Sequence, residues 1–443
     1  MSILDTLFAR YQNRPNSCVQ ITDEGDNYLI VISGGSRRPG LSKAFLYSKD
    51  NFSIGGTGDR WVTDTTVYSE VRVYDRTIQP VAPPSPPPAP EPPPAPSGPD
   101  PDPDFGNITS SYSTQTGYGE VDLRRALKEI TGEDLPEVAD FTGDSTVTRS
   151  GALEAHAAGY TGEDIIVAVI DTGLNIDHID IDDNLWINPG EIAGDGIDND
   201  GNGYIDDVHG WNTALDNNDI SDIQGHGTHV SGIIAAEDNG IGRIGVAPNV
   251  KIMTVKSFRN NNGSITAALP DTDEAIIYAV DNGAHVINMS LGGPSEYVSP
   301  GRLAALQYAE DNGVVVVMAS GNDGGSRPGT PAIAAVDVGI AVGSVNSSGD
   351  LSSFTNRAGG QRDYLGDGLD NPLYVTANGA LVSSLSRISN TGSTIKSGTS
   401  MAAPVVAGAV AVMLQANPNL DVNDIKVILA NTSYDSIGTS RGF

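Results

Sequence analysis

Cysteine is almost missing: Cys18 stands alone among 443 residues, so no internal disulfide can form. If the loops must survive outside a cell, something else has to staple them, and bound calcium is the obvious candidate. Basic residues are also scarce, 25 Lys plus Arg against 56 Asp plus Glu, for a net charge of −31. That balance excludes nucleic acid and anionic membranes as partners held by bulk electrostatics. It suits a soluble protein in salty or calcium-bearing surroundings, where screening and bound cations reduce self-repulsion. No apolar run approaches the roughly 20 residues needed to span a bilayer. The opening MSILDTLFARYQNR lacks the apolar stretch of a signal peptide and reads as a short amphipathic helix. What remains is ample for folding: 38% hydrophobic residues in a chain long enough for two or three units.

Composition marks three regions. Residues 1–78 hold short β-like runs, CVQI, NYLIVIS, AFLYS and VYSEVRVYD, punctuated by Gly, Asp and Ser, as in a small β-rich domain. They carry no recognisable chemistry and fit a binding module, a targeting element or an unusual propeptide. Residues 79–104, QPVAPPSPPPAPEPPPAPSGPDPDPD, form a Pro-rich linker expected to be extended polyproline II. A ligand for a proline-reading domain is the alternative. From 105 to 443 near-continuous apolar runs, among them IIVAVID, VKIMTVKSF, HVINMSL and VVVVMAS, alternate with helical segments. Strands buried on both faces read this way, which predicts an α/β domain with a doubly wound parallel sheet. Its site belongs at the carboxyl ends of those strands.

Three motifs carry chemistry there. A serine hydroxyl needs a base to take its proton, and the base needs an acid to orient it. In VIDTG, Asp171 ends a buried strand. In GHGTHVSG, His226 opens a helix between glycines. In SGTSMAAPVVAG, Ser400 lies at a helix start, where backbone N–H groups favour developing negative charge. These blocks, in this order, resemble the three signature blocks of the subtilase family of serine proteases over roughly residues 165–432. The resemblance implies a subtilisin-like fold and a serine endopeptidase acting through an acyl-enzyme on extended protein or peptide segments. Asp171, His226 and Ser400 would be its triad. It further implies that Asn322, in ASGND, is the oxyanion donor. Ser290, Leu291 and Gly292 would pair with substrate along a strand edge, and Ala319, Ser320 and Gly321 would form the opposite wall of the primary pocket. Small residues on both walls suggest room for a sizeable apolar side chain.

Two stretches point to Ca2+. In DGIDNDGNGYIDDVHGW, Asp198, Asp200 and Asn202 alternate, Gly203 allows a sharp turn, and the Tyr204 carbonyl and Asp206 follow at the same spacing. That is an oxygen-rich loop of the kind calcium takes; a solvated acidic loop is the plain alternative. His209 stands where an EF-hand places its Glu, so an EF-hand is excluded. The second rests on the resemblance: EDNGIGRIGVAP is similar to the subtilase loop that wraps a structural calcium. Asn239 would ligate through its side chain, Ile241 and Arg243 through carbonyls, and Asp180 would complete the set.

The match has gaps. No inhibitory propeptide of the usual kind is recognisable, ANG stands where the family tends to carry APG, and an acidic insertion, RDYLGDGLDNP, has no evident use. The chain ends at SYDSIGTSRGF, about where subtilases continue into a closing segment, so that segment is either missing or supplied elsewhere. TGYGEVDLRRALKEITG (116–132) resembles such a segment; an ordinary N-terminal helix is the alternative. If it closes the domain, Val121, Leu127 and Ile130 should pack on the sheet or on the helix after Ser400. The competing functions are a catalytically inactive subtilase fold and a calcium-dependent binding or adhesion protein. A monomer working outside the cell is expected from the family and the calcium loops, although no export signal is readable.

Overall fold

The computed structural model describes residues 108–140, 142–267, 269–360 and 371–434, and before them the backbone of four strands. The first residues, the segment 79–104 and most of the acidic insertion lie outside the described residues. The chain divides into two compact units, Met1–Asp100 and Pro101–Phe443. In the first, β1 (Cys18–Glu24), β2 (Asn27–Ser33), β3 (Leu41–Ser48) and β4 (Val67–Tyr74) pair antiparallel in sequence order. They coincide with the four β-like runs.

The second unit opens with three helices, α1 (Leu123–Thr131), α2 (Ser145–Ser150) and α3 (Ala152–Ala157). Strand β5 (Ile166–Asp171), a short β6 (Gly210–Asn212) and helix α4 (His226–Ala235) follow. Next come β7 (Lys251–Lys256), the hairpin β8–β9 (Phe258–Asn261, Ser264–Ala267) and α5 (Leu269–Asp281). Strand β10 (Val286–Met289), α6 (Pro300–Asp311), β11 (Val315–Ala319), β12 (Ile340–Val345) and β13 (Tyr374–Asn378) complete the alternation. The hairpin β14–β15 (Val382–Leu385, Ser393–Lys396) leads into α7 (Thr399–Ala416) and α8 (Val422–Thr432).

Seven strands form one parallel sheet in the order β13-β12-β11-β10-β5-β7-β6. The central strands are mostly apolar because both of their faces are covered. In β5, Val167 and Val169 join one core while Ala168 and Ile170 join the other; β11 divides Val315 and Val317 from Val316 and Met318 in the same way. The first core holds α4 and α7, the second α5 and α6. The expected doubly wound, subtilisin-like parallel sheet is therefore present. Helix α7 is the one helix among the described residues long and apolar enough to cross a membrane. It is buried on nearly every side and serves as the central core helix.

The segment before α1 closes the sheet. Tyr118 N donates to Tyr374 O (2.9 Å), Thr376 N to Gly119 O (2.7 Å) and Val121 N to Thr376 O (3.0 Å), so residues 118–121 lie parallel to β13 beyond its free edge. On its other side Glu120 exchanges two backbone bonds with Tyr434 (2.8 and 3.0 Å). Gly117 is required at the start: its φ is +61°, and an added Cβ would lie 2.1 Å from Tyr374 O, a backbone approach open only to glycine. The Glu120 carboxylate is buried against Arg149, whose Nε lies 2.7 Å away, and the Tyr434 hydroxyl (3.0 Å). Asp122 then caps α1, and Val121, Leu123, Ala126 and Leu127 enter the core that contains α7, with Ile130 packed at its margin. Of the two readings of 116–132, the closing segment is the one the fold shows.

Candidate active site

Asp171 is the last residue of β5, at the carboxyl edge of the sheet, and is 2% exposed. A carboxylate so placed needs donors. It receives the Thr172 amide at 2.7 Å and faces the His226 imidazole, whose Nδ1 lies 2.9 Å from each carboxylate oxygen. Holding the ring by Nδ1 leaves Nε2 free to act as a base. His226 is fixed by its position as the first residue of α4. Asp222 steadies that helix start: its carboxylate accepts the amides of Gln224 (2.8 Å), Gly225 (2.7 Å) and Thr228 (3.0 Å) and the hydroxyls of Thr172 (2.8 Å) and Thr228 (2.6 Å). Burial alone would raise the Asp222 carboxyl, and these bonds outweigh it and hold it below the usual range. Sequence reasoning passed over Asp222, because an Asp four residues before a His has no pattern of its own.

Ser400 is the second residue of α7, behind Gly398 and Thr399. Its hydroxyl donates to the Ser290 carbonyl at 3.1 Å, and the Ser290 hydroxyl in turn donates to the Ser400 carbonyl at 2.9 Å. The turn after β10 and the start of α7 are thus bound to each other. Asn322, just past β11, accepts the Thr399 amide at 2.8 Å through Oδ1, which ties its side chain to the start of α7 and leaves Nδ2 out of that bond. The two expected substrate walls leave the carboxyl ends of β10 and β11. They are cross-linked by the stretch 329–330: Gly293 N donates to Thr330 O (3.0 Å) and Gly329 N to Ser320 O (2.8 Å). Ser290 and Ser320 are buried, so Ser290–Gly292 and Ala319–Gly321 present backbone rather than side chains.

His226 sits above its ordinary proton affinity. Burial pushes the imidazolium down, and the charge and hydrogen bond of Asp171 more than offset this. A general base acts only when neutral. The acid limb of kcat/KM against pH is therefore expected to have its midpoint above 6.5, the ordinary histidine value. An Asp171→Asn variant should move any residual limb down, and a midpoint unchanged by that substitution would dissociate His226 from the titration.

The acidic loop is gathered differently from its sequence spacing. Carboxylate oxygens of Asp198, Asp200 and Glu191 lie within 4.8 Å of one another. Asp206 is turned to cap the amides of Gly194 (2.8 Å) and Gly196 (3.0 Å), and the Asn202 side-chain oxygen accepts the Tyr204 amide (2.8 Å). The Tyr204 ring goes into the core against Trp211 and Tyr278. Glu191, which accepts the amides of Asn199 and Asp206 at 2.8 and 3.0 Å, was not foreseen; seven residues upstream of the loop, it falls outside any fixed spacing.

In the second loop Asp180 is fully buried, and its Oδ1 has no hydrogen-bond partner. Burial pushes its carboxyl up to about 7 against the opposing bond from the Arg243 amide. Gly242, with φ +61°, passes so close that a Cβ would lie 2.3 Å from Asp180 Oδ2. Asn239 bonds the Ile179 carbonyl (3.0 Å) and the Glu237 carboxylate (3.1 Å), and its own oxygen accepts the Ile241 amide (2.9 Å). The Arg243 guanidinium is held by Asp144 (3.1 Å) and Thr146 (2.7 Å), though its charge still draws the Asp180 carboxyl down in part.

A doubly wound sheet whose carboxyl edge joins an aspartate to a histidine, with a serine at a neighbouring helix start, defines the class of serine-type hydrolases. Residues 162–443 match the subtilase family. Subtilisin DY of Bacillus licheniformis is 34% identical over 284 residues, 64% of this chain and 88% of the relative. The major intracellular serine protease of Bacillus subtilis (strain 168) is 36% identical over 292 residues, 65% and 80%. The chain belongs to the subtilase family and is a serine endopeptidase acting on proteins.

Proposed function

We propose that Asp171, His226 and Ser400 form the catalytic triad of this endopeptidase and that hydrolysis passes through an acyl-enzyme on Ser400. The observation that carries this reading is the bidentate approach of the Asp171 carboxylate to His226 Nδ1. It fixes the tautomer in which Nε2 can take the serine proton. The base then returns that proton to the leaving amine, and water repeats the sequence on the ester. Asn322 Nδ2 and the Ser400 amide at the start of α7 would hold the oxyanion. Ser290–Gly292 and Ala319–Gly321 would hold the substrate by its backbone. The inactive-fold and binding-protein alternatives have no supporting observation in this site, since no member of the triad is replaced. A fluorophosphonate probe tests the reading: it should label Ser400 in the native protein and leave no label on His226→Ala. Absence of labelling on a folded native protein would return the domain to the inactive class.

Calcium fits both loops as a structural ion. At the Asp180 loop the fit rests on the buried, unpartnered Asp180 Oδ1, which a cation would satisfy together with Asn239 and the carbonyls of Ile241 and Arg243. At the acidic loop Asp198, Asp200 and Glu191 supply hard oxygen donors of the type calcium prefers. Asn202 bonds Asp200 and the Asp206 amide bonds Glu191, and with the Tyr204 carbonyl these residues would complete the ligand set. The domain organisation we propose is a β-rich domain over 1–78, a spacer over 79–104 and the peptidase over 105–443. Work outside the cell is our reading from the two calcium loops, although one relative is by name intracellular.

A further inference from the structure

The hairpin β14–β15 lies on the helix that His226 opens. Val382 and Ser384 stand directly across from Lys396 and Thr394, so the four side chains share one face. Val382 and Ser384 are buried, and an added Cβ on Gly232 of α4 would come 2.5 Å from Ser384 Oγ. The carbonyls of Val382 and Thr394 lie 3.1 and 3.2 Å from His229 Nε2 in the same helix. That face therefore turns Lys396 toward α4, four residues before Ser400. Lys396 is half-buried and has no hydrogen-bond or ion-pair partner among the described residues.

Arg387, where the hairpin turns, packs its aliphatic stem on Gly225, the residue before His226; a Cβ there would meet Arg387 Cγ and Cδ at 3.3 Å. Its guanidinium makes one hydrogen bond, to the Asp222 carbonyl at 3.4 Å, and lines a cavity of ≈ 290 Å³ with Asn175, Asn218 and Asp219. Of the carboxylates around that cavity, Asp222 caps α4, Asp219 bonds Ser221 and faces Lys256, and Asp177 is exposed and makes no ion pair with Arg387.

Among the described residues the most deeply buried cations are matched, whereas half-buried Arg357, like Lys396, has no ion pair. With acidic residues outnumbering basic ones 56 to 25, Arg149, Arg243, Arg302 and Lys426 are each paired to a carboxylate. A half-buried ammonium without a partner costs stability, and here it also works against the chemistry. Its charge opposes protonation of His226, the state that histidine must pass through in turnover. An incoming carboxylate removes both penalties.

We propose that Lys396, with Arg387 beside it, is a specificity residue that receives a carboxylate carried by the substrate on the leaving-group side of the scissile bond. The side follows from placement. The hairpin packs on the helix of His226, which hands its proton to the leaving amine, whereas the walls 290–292 and 319–321 extend from β10 and β11. The enzyme would then favour proteins with Asp or Glu just beyond the cleaved bond. This deepens the triad reading and rests on it.

The test uses the full chain and quenched fluorescent peptides differing only by Glu, Gln or Lys at each of the first three leaving-side positions, with cleavage sites read by mass spectrometry. At one or more of these positions kcat/KM should favour Glu over Gln by about tenfold, the scale of a partly desolvated ion pair, and Lys should be worst. Added salt should shrink the ratio. Lys396→Met should abolish the Glu-to-Gln preference and Lys396→Glu should reverse it, with fluorophosphonate labelling of Ser400 reporting that each variant is folded. A native enzyme indifferent to Glu and Gln at all three positions overturns the proposal without any variant, as does a preference that survives in Lys396→Met. Failure of the probe to label the native protein would instead strike the triad.

Discussion

Replacing Ser400 with Ala is expected to lower kcat on a peptide substrate by about 10⁶, the scale known for the same change in subtilisin. The hydroxyl makes one hydrogen bond, to the Ser290 carbonyl at 3.1 Å, so its loss should cost no more than about 1 kcal/mol of stability. The melting curve should therefore stay close to that of the parent while turnover vanishes. Asp171 and His226 keep their contact in such a variant, and that contact alone cannot make water an effective nucleophile. Retention of a hundredth of the parent rate by purified Ser400→Ala would remove Ser400 from the nucleophile's role.

The second large effect concerns the ion and is best read in that same Ser400→Ala background, where self-cleavage cannot distort the melting curve. An ion bound only by the native state adds RT ln(1 + [L]/Kd), about 2.7 kcal/mol at a hundredfold excess over Kd. Chelation should lower the melting temperature accordingly, and restored calcium should reverse the change. Asp180→Asn and the double change Asp198→Ala/Asp200→Ala should each remove part of the response, because they act on different loops. If chelator leaves the melting of the parent unmoved, neither loop holds a stabilising ion. If both variants respond like the parent, the ion sits elsewhere.

Much of this molecule was legible in its sequence, for identifiable reasons. Continuous apolar strands such as 166–170 announced a sheet covered on both faces, and the motifs around Asp171, His226 and Ser400 announced the strand end and the two helix starts that carry them. Those signals are local. What escaped was set by contacts between distant stretches. Glu191 joins Asp198 and Asp200 only because the chain doubles back. Asp206 fits the ligand spacing yet turns to amides at 194 and 196. The segment 116–132 lay between the two: its helical pattern was visible, but the edge it covers belongs to β13, some 250 residues on by number, and only the pairing of Glu120 with Thr376 and Tyr434 decides its place. Lys396 and Arg387 carried no motif at all.

The pairing of Glu120 with Tyr434 has a mechanical consequence. The two ends of the described domain are fastened to each other twice: Thr109 and Ser110 bond Asn431 and Ala430 of α8, and Glu120 and Tyr434 share two backbone bonds and a side-chain contact. A pull on the flanks is therefore borne first by these neighbouring junctions, as at the slider of a zip. The line of force does not run through the sheet toward Asp171, His226 and Ser400. Stretching should strip residues 109–110 from α8 and then peel residues 118–121 from β13, unroofing α7, so tension on the flanks would open the closing edge before it disturbed Asp171, His226 and Ser400.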